Sequence, residues 1–382
     1  MKTLAFLLVL ALQSPPLAPL VRLSTALQQL RPQLDEHQTT FGATAELTAA
    51  KHQFRDWIES RLASQGERVD VGEVGDTLHA ALAAAGLLCG DLSDECGLNF
   101  LGYVDDVRVR RAGEFLVVVT AIGVSCGFDE SAYVYAWQGQ QWRRVWEHER
   151  NTYTPQDYRP QIVHDVQISP PDASRSRLLM MLGSQTVCGG AFKDVYARVW
   201  RIDSDDRATS VLDWTGHAND AYPPIQGRVG PDAVRFQFTA GGLLSGEVHS
   251  AVRHYTVTQG TATQGDPVAG LPRDFVVEWL SAPWEESRTR SATSTLAAVH
   301  AELHRNDGVG DFPGATLKCL SGPGLWQVET HLYERPKRYY RVRWQDAYRF
   351  TMMDVSDTAY PDCTITDSRG ETYTDLLDAD LR

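Results

Sequence analysis

Cys126-Gly127-Phe128-Asp129-Glu130-Ser131-Ala132-Tyr133-Val134-Tyr135-Ala136-Trp137 returns as Cys188-Gly189-Gly190-Ala191-Phe192-Lys193-Asp194-Val195-Tyr196-Ala197-Arg198-Val199-Trp200. The cysteines lie 62 residues apart and the closing tryptophans 63. A fixed period of this size marks stacked supersecondary units, each too small to bury its apolar face alone. Within each copy apolar and aromatic residues alternate, as they do along a pleated strand.

Working outward, Val104-Asp105-Asp106-Val107-Arg108-Val109 matches Val163-His164-Asp165-Val166-Gln167-Ile168, and Leu116 to Thr120 matches Leu178 to Leu182. Each unit then turns, at Gln138-Gly139 or at Asp203 to Asp206, and finishes in a strand ending at Trp146 or Trp214. A third, degenerate unit holds Val234 to Phe238 and Val252 to Val257, with Ser245-Gly246 where the cysteine stood. A fourth begins with Val276-Val277-Glu278-Trp279, read as a strand, and contains Tyr340 to Gln345. The expectation is a mainly β chain of about four repeats of four antiparallel strands. Such units resemble the blades of a β-propeller; a β-sandwich or two small β domains is the alternative.

The flanks read differently. Lys2, the apolar run Leu4 to Leu12 and Gln13-Ser14-Pro15-Pro16 have the layout of a secretory signal peptide over about residues 1–20. Residues 21–98 form a helical segment: Leu47, Phe54, Trp57, Ile58 and Leu62 share one helix face, and a second helix starts from Asp76 as N-cap. The β repeats 1–3 then occupy 99–285. Residues 286–382 hold a helical insertion at Ser294 to Arg305, the degenerate fourth repeat and a C-terminal tail.

Composition narrows the function classes. A chain of 382 residues that is 43% hydrophobic buries a sizeable core. Its net charge of −13 speaks against a sequence-independent phosphate binder, so no nucleic-acid partner is expected. No segment after the leader reaches membrane-spanning length. Six cysteines in an exported chain read as disulfides, and the expected pairs are Cys89 with Cys96, Cys126 with Cys188, and Cys319 with Cys363. No zinc module and no cofactor cradle is present in the sequence, so no cofactor is expected.

Four motifs invite chemistry. Gly123-Val124-Ser125-Cys126-Gly127 matches the nucleophile elbow, but a strand pattern follows it where a helix is required. His300 and His304 stand four apart on a helix, a metal-clamping spacing, and also border that helix's apolar stripe. Asp203-Ser204-Asp205-Asp206 hints at a calcium loop but lacks its glycine and distal glutamate, and a solvated hairpin turn accounts for it. Asp106, Asp165 and Glu278 fall in one slot of successive units, with His164 beside the second. Converging in a repeat ring, they would bind a cation or a hydroxylated ligand; engaged singly, they would serve their own blades. The leading expectation is an exported, non-enzymatic binding or interaction protein of unknown ligand. The alternative is an exported hydrolase or cation-dependent enzyme with an acidic centre.

Overall fold

The computed structural model describes residues 17–37, 42–89, 100–125, 127–154, 159–186, 192–219, 225–241, 248–303, 312–331, 337–345 and 349–366. The chain is mainly β and carries four meanders, each pairing its strands in sequence order. The first is β1 (Val104–Ala112), β2 (Phe115–Val124), β3 (Gly127–Gln138) and β4 (Gln141–His148). The second is β5 (Gln161–Ile168), β6 (Arg177–Thr186), β7 (Phe192–Ile202) and β8 (Ala208–Asn219). The third is β9 (Gln226–Val229), β10 (Ala233–Gly241), β11 (Val248–Thr258) and β12 (Thr261–Gly265). The fourth is β13 (Phe312–Cys319), β14 (Leu325–His331), β15 (Arg338–Trp344) and β16 (Phe350–Ser356), extended by β17 (Cys363–Thr366) on the outer side of β13. Meanders without strand exchange have the topology of propeller blades, not the Greek-key exchange of a sandwich.

Turn chemistry fixes the register of these meanders. Gly139 and Gln140, at φ 55° and 66°, form the two-residue loop between β3 and β4. Gln259 and Gly260, at φ 50° and 81°, do the same between β11 and β12. Two successive positive φ values match the right-handed twist of the flanking strands, and glycine adopts such values without steric cost. Asp203 to Asp206 joins β7 to β8: the Asp206 N–H donates to Asp203 O at 2.9 Å, and the Asp206 carboxylate accepts from Gln138. The turn reading of that acidic run therefore holds.

Contacts divide the chain into two compact units, Met1–Ile168 with Gly183–Gly190 and Asp203–Ala208, and Ser169–Leu182 with Ala191–Ile202 and Thr209–Arg382. The first unit packs three helices, α1 (Leu17–His37), α2 (Thr44–Leu62) and α3 (Val71–Ala84), into one apolar core with the first meander. Leu47, Phe54, Trp57, Ile58 and Leu62 all face that core, as their spacing requires. β2 is buried along its whole length, which its unbroken apolar run demands. The N-cap of α3 is Asp70 rather than Asp76: its carboxylate accepts from the N–H of Gly72 at 2.9 Å and of Glu73 at 3.3 Å. Asp70 lies immediately before the first helical residue, where those amide donors are otherwise unmet.

In the second unit, α4 (Pro272–Ser281), α5 (Trp284–Ser287) and α6 (Leu296–Leu303) accompany the third and fourth meanders. Val276 to Trp279 belongs to α4 and not to a strand, which corrects the sequence reading. Pro272 sits in the first helical turn, and Phe275, Val276, Trp279 and Leu280 line one buried face at helical spacing. The adjacent valines suggest a strand locally, but burial of that face against Val328, Tyr340 and Phe350 decides for helix. Cys319 and Cys363 are cross-strand partners and form the expected disulfide. Cys89 is disulfide-bonded, while Cys96, Cys126 and Cys188 lie outside the described residues. Among the described residues, no helix is long and apolar enough to cross a membrane.

Candidate functional site

Asp106 and Asp165 occupy equivalent places, on β1 and β5, and each is engaged where it stands. Asp106 faces His79 of α3 at 3.0 Å and Arg108 at 3.4 Å. Asp165 accepts from Arg110 at 2.7 Å, from Gln167 at 2.7 Å and from the N–H of Val166 at 2.8 Å. Between them Arg108 donates to Glu130 of β3 at 2.7 Å, and Glu130 accepts the Val163 N–H at 2.6 Å. Burial pushes the Glu130 carboxyl up, against the pull of Arg108 and of that N–H. These arginines stitch β1, β3 and β5 together. His164 meets the hydroxyl of the fully buried Ser184 at 2.8 Å.

Glu278 stands on a helix, so the slot it seemed to share with the two strand aspartates does not exist. It has a closer companion in Asp274, one turn earlier on α4. Opposite them β11 presents His249, whose Nε2 lies 2.9 Å from Glu278 Oε1, and Arg253, which lies 2.8 Å from Oε2. Burial works against the charge of Glu278, but Arg253 and His249 overcome it and hold the carboxyl at about 2. Asp274 has the opposite fate. Burial raises it to about 6; Arg273, His249 and the Ser250 N–H oppose the rise, and Glu278 adds to it. Arg273 approaches at 3.4 Å, and neither carboxyl oxygen of Asp274 makes a side-chain hydrogen bond. Asp274 is 1% exposed and the Glu278 side chain 12%. Glu278 also lines a tight crevice, without room for a water molecule, with Val268, Phe275, Trp279, Glu286, Ser287 and Arg290.

Two carboxyl groups on successive turns of one helix thus titrate far apart: Asp274 keeps its proton to about 6, whereas Glu278 loses its proton at about 2. The sequence reading missed Asp274, His249 and Arg253. Pro272 at a helix start followed by acids four apart was the available signal, and the strand assignment of Val276 to Trp279 concealed it.

The other motifs resolve as scaffold. Gly123 ends in β2 and Gly127 opens β3, so no helix follows Ser125. A Cβ at position 123 would collide with the Phe100 carbonyl oxygen, which accounts for that glycine by close backbone approach. His300 is buried, with Nε2 3.0 Å from Trp279 O and its ring edge-on to the Trp279 indole. His304 lies outside the described residues.

No protein-family profile and no curated protein sequence matches the chain. Among solved structures it is similar to the GH32 β-fructofuranosidase BmSUC1 of Bombyx mori, at 10% identity and a TM-score of 0.25, covering 65% of this chain and 50% of that one. It is similar to a thermostable family-43 glycoside hydrolase at 10% identity and a TM-score of 0.24, covering 73% and 83%. It is also similar to Sqt1 of Chaetomium thermophilum, at 11% identity and a TM-score of 0.19, covering 62% and 56%. The chain spans about half the length of the Bombyx mori enzyme. Scores of this size set neither family nor fold. Glycoside hydrolases stand among these structures, and the expectation of a non-enzymatic binding protein is not carried forward.

Proposed function

We propose that this chain is an exported hydrolase of glycosidic bonds, with Asp274 as its acid and Glu278 as its anion. The observation that carries the reading is the separation of the two carboxyls, about 6 against about 2, on adjacent turns of α4. Acetal hydrolysis needs one carboxylic acid to protonate the leaving oxygen and one carboxylate to face the oxocarbenium-like carbon. Residues one turn apart on a helix have Cβ atoms about 5–6 Å apart. That brings both groups within reach of one acetal. Arg253 and His249 keep Glu278 ionised for attack, and the buried setting of Asp274 keeps its proton available.

Export is supported by the leader-like sequence from Lys2 to Pro16 and by the Cys319–Cys363 bond. A panel of 4-nitrophenyl glycosides tests the activity. Turnover of at least one is expected, with kcat falling above about pH 6 as Asp274 loses its proton. Asp274→Asn should spare the nitrophenyl substrate, whose leaving group needs little protonation, and suppress hydrolysis of the corresponding methyl glycoside. No turnover across the panel, or turnover that survives Glu278→Gln, sinks the reading.

A further inference from the structure

The fourth sheet contains a second cluster, independent of the α4 pair. Cys319 ends β13 and Cys363 opens β17, directly opposite each other and both 4% exposed. Asp362 precedes Cys363, with Oδ1 3.8 Å from the Cys363 sulfur. Its other oxygen, Oδ2, is held by Arg341 at 2.5 Å, and Arg341 also reaches Ser321 Oγ at 2.8 Å. The two sulfurs and the carboxylate lie within 4.8 Å of one another. One oxygen turned to the sulfurs and the other fixed by an arginine is how proteins orient a ligating carboxylate.

We propose that Cys319, Cys363 and Asp362 form a redox-gated site for a thiophilic divalent cation, closed as a disulfide and opened by a dithiol reductant. A reductant thiolate attacks one sulfur of the bridge and releases the other as a thiolate. The reductant's second thiol then attacks the reductant sulfur of that mixed disulfide and expels the remaining protein sulfur, leaving two protein thiols and an oxidised reductant, a transfer of two electrons. Zinc binding to the two thiols expels two protons, and the ion is held by two thiolates, Asp362 Oδ1 and one water, a soft and four-coordinate set that suits Zn²⁺. Reductant gains access because β17 is a four-residue strand at the sheet edge, the kind of element that opens locally.

Cobalt is the probe, since thiolate ligation gives Co²⁺ an intense charge-transfer absorption. Full-length protein reduced with dithiothreitol and desalted without oxygen is expected to bind one equivalent of Co²⁺ that Zn²⁺ displaces. The oxidised protein is expected to bind none. The other cysteines are reduced as well, so the decisive comparison is with the Cys319→Ser, Cys363→Ser double variant, which should lose the band. Asp362→Asn, which leaves both thiols in place, should weaken binding at least ~10-fold. No band in the reduced wild type, an equal band in the double variant, or unchanged affinity in Asp362→Asn overturns the proposal; the last of these serves if the double variant does not fold.

Discussion

Two buried ionic clusters, one in each unit, differ in how completely they are satisfied. In the first unit Lys51 of α2 is buried, yet its ammonium has three partners: Asp129 Oδ1 at 2.5 Å, Tyr153 OH at 2.7 Å and Arg150 O at 2.8 Å. Tyr153 in turn donates to Asp129, and one turn along α2 Arg55 and Tyr133 both donate to the buried Glu149. Burial lowers the Lys51 ammonium while Asp129 and Glu149 work to keep it charged. In the second unit Glu278 is matched just as fully, but Asp274 beside it is not. A buried charge held by close partners of opposite sign serves the fold. A buried acid left short of partners holds its proton into the range where catalysis uses it.

The contrast can be broken most forcefully at Lys51. Lys51→Met strands Asp129 and Tyr153 in a dry interior and is expected to cost about 3–5 kcal/mol, read from urea unfolding. Loss of under about 1 kcal/mol would mean that water reaches the cluster and that the helix is not fastened through it. Next in size, Glu278→Gln should lower glycoside turnover on the order of 10³-fold or more while the protein stays folded by circular dichroism.

Asp274 provides a pH test. The folded chain keeps this proton to about 6 and the unfolded chain only to 3.8, so between those values the folded state binds more protons. Its contribution is therefore full below 3.8 and is lost as pH rises through 6, a change of about 3 kcal/mol. Glu278 runs the other way, its contribution being present above its ordinary 4.5 and lost as pH falls toward 2, so pH 4.5 to 6.5 isolates Asp274. Wild-type stability should fall across that window relative to Asp274→Asn, whose neutral amide cannot titrate. Parallel curves would place Asp274 among the satisfied groups. The smallest effect is Tyr133→Phe, which removes one of the donors to Glu149 at 2.7 Å; with Arg55 still in place, a loss of about 1–2 kcal/mol is expected.

The repeat was legible because alternation and turn chemistry act locally: Tyr133 to Trp137 and the Gly139-Gln140 turn each announce their own geometry. The α2 face was legible for the same reason. The α4 pair was not, since Val276 and Val277 have the intrinsic preference of strand residues and become helical only by packing with Phe275, Trp279 and Leu280 against distant strands. Its electrostatics were further out of reach. The acidity of Glu278 depends on Arg253 and that of Asp274 on burial, and both arise from the approach of β11 to a helix about twenty residues further along the chain.

Strand β17 has one more consequence. The outer edge of β13 would otherwise offer a row of backbone donors and acceptors to any extended chain. β17 covers only the Leu317 to Cys319 end of that row, where the Cys319–Cys363 bond fastens it beyond its own few hydrogen bonds. A foreign strand that would replace β17 against Leu317 to Cys319 must first break sulfur from sulfur to carry β17 away. Access to that end of β13 is thus set by the thiol chemistry of its surroundings.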